Sequence, residues 1–242
     1  MLVSAAFILF TALLASADHG LPHNFAIPSI KSTLTDTHAK VAATKDKLQG
    51  PSSFKNTAVP WGASPSSRHG KYPSCSADQQ IQIAKAISVA QRYVHSSVTY
   101  LKKWKLSGSP LYTRWFGAFD KNRRGLTVLS FSRLRTSLDK WTYECTCTDS
   151  KLVVQAHTGQ YGIIKVCPGF WSAPAAGDKS AAFAIIREGT RFEQVLGTFN
   201  VAHGRSESLA IAMNKPDSAV YSANNHAYFS VDAYLEEPSR VA

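Results

Sequence analysis

Four cysteines, Cys75, Cys145, Cys147 and Cys167, constrain this chain more than any other feature. An even number suits two disulfides if the chain matures in an oxidising compartment. The first residues point to that compartment. Leu2 to Leu14 is an uncharged, almost wholly apolar run, and Ala15-Ser16-Ala17 is a small-x-small cleavage signal. The spacing predicts a secretory signal peptide over residues 1–17, too short to span a bilayer core of roughly 30 Å. No later segment is apolar enough to cross a membrane. Four cysteines allow three pairings. Cys145 and Cys147 flank a single residue, so each is expected to bridge elsewhere. One C-x-C pair is a poor match to the spacing of a structural zinc site.

Residues 18–71 are rich in Ser, Thr, Pro, Lys and Ala and lack apolar periodicity. They read as a flexible leader or the remnant of a pro-region. The domain is expected over 72–242. Ser76 with Gln79 forms a capping box, and Ile83, Ile87, Ala90, Val94, Val98 and Leu101 recur at helical spacing, predicting a long helix over 77–103. Further helices are expected over 109–119 and 123–140. Trp141 to Cys147, Leu152 to His157 and Tyr161 to Val166 are short β-branched or aromatic runs separated by turn residues, which predict a small sheet. Helical patterning returns over 179–196, 206–213 and 217–229. Helices, a small sheet, then helices again make an α+β arrangement. The net charge of +11 is spread along the chain. It favours anionic partners in general, and no nucleic-acid motif accompanies it.

The chemistry is concentrated at Ile185-Ile186-Arg187-Glu188-Gly189-Thr190-Arg191. A zinc-peptidase helix carries His, Glu and His at i, i+1 and i+4. The two His bind the metal and the Glu activates its water. Here those positions read Arg, Glu, Arg. Around them, the chain from Cys75 to Phe229 resembles the aspzincin (deuterolysin-like) family, especially its peptidyl-Lys metalloendopeptidases. Tyr112-Thr113-Arg114-Trp115-Phe116-Gly117 resembles that family's Y-T-x-W-F-G, and Tyr143-Glu144-Cys145-Thr146-Cys147 its Y-x-C-x-C. Cys167-Pro168-Gly169-Phe170-Trp171 resembles C-x-x-F-W. Gly197-Thr198-Phe199-Asn200 with His203-Gly204 falls on G-T-x-D-x-x-Y-G. Ala223-Asn224-Asn225-His226-Ala227-Tyr228-Phe229 resembles A-D-N-H-x-Y-F.

The resemblance implies a mostly helical zincin-like domain with disulfides Cys75–Cys145 and Cys147–Cys167. It also implies three zinc ligands, which fall on Arg187, Arg191 and Asn200, and a transition-state tyrosine, which falls on His203. The catalytic glutamate alone is kept, as Glu188. A guanidinium offers a metal no lone pair, and Asn is a weaker ligand than Asp. At roughly 4 Å, each Arg would repel a dication by a few kcal/mol at an effective dielectric near 20. The expectation is therefore no zinc, no cofactor, and no peptide hydrolysis by the family mechanism.

What remains is a site of Arg187, Glu188 and Arg191, lined by Asn200 and His203. Glu188 either pairs with the two arginines and fills the former metal position, or serves a basic pocket suited to a carboxylate, phosphate or sugar hydroxyl. The first functional expectation is a secreted pseudopeptidase of effector type, binding an extracellular protein or glycan, with no nucleic acid and no membrane span. A hydrolase of glycan oligomers such as chitin is the alternative. It needs a second carboxylate about 5–9.5 Å from Glu188, with Asp178, Glu193 and Glu207 as candidates. An active metallopeptidase comes last. His157 and His226 are further histidines for a replacement metal, although lone histidines more often make ordinary hydrogen bonds. Trp115, Phe116, Phe170 and Trp171 are expected in the core rather than as stacking platforms.

Overall fold

The computed structural model describes residues 71–237. The signal segment, nearly all of the leader and the last five residues lie outside that range. The elements run α1 (Ala77–Lys103), α2 (Pro110–Phe116), α3 (Lys121–Ser137), β1 (Thr142–Glu144), β2 (Val154–Ala156), β3 (Ile163–Val166), α4 (Ala181–Gly189), α5 (Gly204–Asn214), α6 (Pro216–Val220) and α7 (Ala223–Glu236). This is the α+β order read from the sequence.

Local chemistry sets the boundaries. The α1 capping box is closed from both sides: Gln79 N donates to Ser76 Oγ at 3.3 Å and Ser76 N to Gln79 Oε1 at 2.8 Å. Asp78 in the first turn and Lys102 and Lys103 in the last complement the helix dipole. Helix α2 is started by Ser109 and Pro110 and stops at Gly117, short of the expected Phe119. Gly117 has φ 75°, and a Cβ there would lie 2.5 Å from the carbonyl oxygen of Ala212. Helix α3 starts earlier than expected because the Asp120 carboxylate caps it, accepting from Arg123 N at 2.8 Å.

Two further expectations are corrected. The 179–196 segment is not one helix: α4 ends at Gly189 and the chain turns through 190–197. Gly189 sits where a Cβ would come within 2.7 Å of the Trp141 ring, and Val195, Leu196 and Gly197 all donate backbone N–H groups to Phe192 O. The 217–229 segment is two helices, because Ser222 caps a new one, accepting from Asn225 N.

The core lies where α1 packs against α3, α4 and α7. Trp115, Phe116, Phe131, Ile185, Phe192 and Phe229 are fully buried within it. The three-stranded sheet has the order β1-β3-β2, with β1 parallel and β2 antiparallel to β3. Tyr143 pairs with Ile164, and Gln155 with Lys165. This places β2 at an edge, beside α4. Disulfides Cys75–Cys145 and Cys147–Cys167 fasten the chain before α1 and the segment before β2 to the sheet region, in the pairing that the resemblance implied. Among the described residues no helix is long and apolar enough to cross a membrane.

Candidate functional site

Helix α4 begins at Ser180, whose hydroxyl accepts from Phe183 N at 3.1 Å. Its sequence Ala-Ala-Phe-Ala-Ile-Ile is buried on every side. A helix buried all round can carry a charge only where partners converge on it. That place is its last turn. Glu188 is 3% exposed and is met by three donors. Arg187 Nη2 donates to Oε1 at 3.1 Å, Arg191 Nη1 to Oε2 at 3.5 Å, and the backbone N–H of Ala156 on β2 to Oε2 at 3.2 Å. Arg191 lies in the turn beyond α4, not on the helix, yet it still reaches the carboxylate from three residues away. The arginine side chains keep 29% and 30% of their surface exposed, so the trio opens to solvent through its cations. It carries an excess of positive charge. Arg187 Nε is buried with no hydrogen-bond partner.

The loop with Asn200 and His203 is fastened beside this turn. Thr198 N donates to Thr190 O at 3.0 Å, and the two threonine hydroxyls are 2.8 Å apart. The Thr190 hydroxyl also donates to Arg187 O. Asn200 and His203 are themselves exposed. Neither side chain bonds to Arg187, Glu188 or Arg191 among the described contacts. His203 acts through its backbone, donating N–H to Glu207 Oε2 at 2.7 Å at the start of α5.

The residues present do not fit a zinc ion. Two of the three positions hold guanidinium groups without lone pairs. The carboxylate between them already accepts hydrogen bonds on both oxygens. Among the described residues, no group of three His, Cys, Asp or Glu side chains is gathered as a metal requires. His226 is in the core: its Nε2 lies 2.8 Å from Val220 O, and its ring packs on Phe116 and Phe131. Burial pushes its pKa down to about 4. His157 is half-buried at the end of β2. Trp115, Phe116 and Phe170 are buried as expected, and Trp171 is half-buried.

Of the candidate second carboxylates, Glu207 serves the α5 terminus, Glu193 is exposed and Asp178 belongs to another cluster. Arg205 lies between Asp178 and Asp232. It donates to Asp178 at 2.9 and 3.0 Å and to Asp232 at 3.1 and 2.9 Å. Trp115 Nε1 also donates to Asp232, at 2.9 Å, and Arg114 stands 3.6 Å from it. The Arg205 guanidinium lies over the rings of Trp115 and Tyr228, which stack on each other. Hydrogen bonds to Asp232, then Asp178, raise its pKa further above the usual guanidinium range. No sequence signal marks this cluster, since its charged members come from four separate segments.

A family model described as lysine-specific metallo-endopeptidase matches residues 102–231. The peptidyl-Lys metalloendopeptidase of Grifola frondosa is 32% identical over 66% of this chain and 46% of its own length. That of Pleurotus ostreatus is 31% identical over 66% of this chain and 95% of its own. An extracellular protease of Aeromonas hydrophila is 30% identical over 64% of this chain and 45% of its own. The chain thus spans about half the length of the Grifola and Aeromonas relatives. A solved zinc peptidase from Grifola frondosa superposes with a TM-score of 0.63 at 31% identity, over 65% of this chain and 97% of that one.

Proposed function

The chain belongs to the aspzincin family of lysine-specific metallo-endopeptidases, and from that premise we propose that it is a secreted pseudopeptidase, an effector-type binding protein that works outside the cell without zinc. The observation that carries this reading is the Glu188 trio. A glutamate that activates a metal-bound water needs its carboxylate free to take a proton. Here both oxygens accept hydrogen bonds from the arginines at two of the former ligand positions and from Ala156 N–H.

The same trio supports an anionic or strongly polar ligand. Two guanidinium groups face one carboxylate, both remain part-exposed, and Arg187 Nε still lacks an acceptor. Secretion is supported by the signal-like leader, the disulfides and a relative named as an extracellular protease. The glycan-hydrolase reading has less support, because Asp178 and Glu207 are committed to other partners.

The test is incubation of the purified full chain with lysine-containing peptides, with and without added zinc. No cleavage above buffer is expected in either condition. Cleavage that a chelator and Glu188→Gln both abolish would show a working peptidase.

A further inference from the structure

Away from α4, the first turns of α3 and the short α6 enclose a surface pocket of about 420 Å³, within the size range of small-molecule sites. Asp120, Asn122, Arg123 and Leu126 line it from α3, and Asp217 and Tyr221 from α6 and its end. Arg123 ties the two sides together: its Nη1 donates to Asp217 Oδ1 at 2.8 Å and its Nη2 to Ala118 O at 2.9 Å.

The lining is not used up by these contacts. Asp120 and Asp217 each engage one carboxylate oxygen, leaving the other without a hydrogen bond among the described residues. Asn122 is exposed and its amide makes no described hydrogen bond. Behind the lining, the buried Tyr112 hydroxyl and Arg123 face each other, neither Arg123 Nε nor the hydroxyl having a hydrogen bond of normal geometry. Tyr221 is 40% exposed and presents the aromatic surface of the pocket.

The combination selects a ligand class. No third carboxylate or histidine joins Asp120 and Asp217 to cage a metal cation among the described residues, and a simple anion would be repelled by two carboxylates that outnumber Arg123. Hydroxyl groups both donate and accept, so they can use carboxylates, an amide and a guanidinium at one place. Carbon-bound hydrogens of a sugar ring can lie on an aromatic face, as other apolar groups do. The geometry points to a neutral saccharide site between α3 and α6, with Tyr221 as its platform and Asn122, Asp120 and Asp217 as its hydrogen-bonding groups. This site is separate from the Glu188 trio and does not depend on the reading of that trio.

The experiment is calorimetric titration of the full chain with oligosaccharides of N-acetylglucosamine, of glucose and of mannose. Binding of at least one series is expected. Tyr221→Ala and Asn122→Ala should each weaken it at least tenfold, and Tyr221→Phe, which keeps the ring, should preserve it. Tyr161→Ala removes another exposed tyrosine, at the sheet, and should leave binding unchanged. Unaltered circular dichroism in each variant separates loss of binding from loss of fold. Absence of binding by all three series up to about 10 mM overturns the inference, as does binding that survives Tyr221→Ala.

Discussion

Two charge clusters in this domain are near mirror images, and they are finished differently. In one, Arg205 lies between Asp178 and Asp232. In the other, Glu188 lies between Arg187 and Arg191. Around Arg205 there are four hydrogen bonds of 2.9–3.1 Å, an aromatic ring over the guanidinium on each of two contacts, and a second arginine that balances the charge. Around Glu188 each arginine makes one contact, at 3.1 and 3.5 Å, the cations outnumber the anion, and one buried donor has no partner. The first is a neutral, saturated clamp joining α2, α5, α7 and the segment before α4. The second is a charged and incompletely satisfied opening. A fully satisfied network rigidifies the core around it, whereas an unpaired buried donor is a standing cost.

Asp232→Ala should be the most damaging change. It removes every acceptor of the buried carboxylate from Arg205, Arg114 and Trp115 Nε1 at once and leaves a cavity, at a cost of about 2–3 kcal/mol once the part-exposed arginines are hydrated. Chemical denaturation of the variant should show that loss without a new ligand phenotype.

The core histidine supplies a pH-dependent contrast. His226 has a folded pKa of about 4, below the ordinary 6.5. Above pH 6.5 it is neutral in both folded and unfolded chains. As pH falls through 6.5 the unfolded chain takes up a proton that the folded one refuses, so stability declines until about pH 4, by about 3 kcal/mol at most. His226→Gln should flatten that segment of a stability–pH curve.

Glu188→Gln should be milder, about 1–2 kcal/mol, because glutamine fills the same space and keeps one carbonyl oxygen to accept from the arginines and from Ala156 N–H. It should strengthen retention on an anionic resin such as phosphocellulose, since the site loses its only negative charge. A loss as large as that of Asp232→Ala would place the Glu188 trio with the structural clamps and remove the contrast.

Much of this was legible in the sequence, for local reasons. The bounds of α1 follow from Ser76 and Gln79 at its start and from the apolar stripe from Ile83 to Leu101. The meeting of Arg187, Glu188 and Arg191 follows from short-range spacing, which survives even though the helix ends at Gly189. The end itself was hidden, because it depends on Trp141 occupying the space of a missing Cβ. The break at Ser222 was hidden for a similar reason: Phe199, distant in sequence, pairs with the chain there, donating N–H to Tyr221 O and accepting from Ala223 N. The Arg205 clamp and the α3–α6 pocket are products of tertiary contact alone. Asp178 looked like a spare carboxylate in the sequence, and only the fold shows that it is committed.

An internal ion-pair cluster of Arg187, Glu188 and Arg191 stands where the family resemblance would put a metal. Native mass spectrometry of the full chain, purified without chelator and given zinc in slight excess, tests it most directly. The expected mass carries no specifically bound zinc and is unchanged by later chelation. A mass increase of about one zinc per chain, removed by chelator, would contradict it.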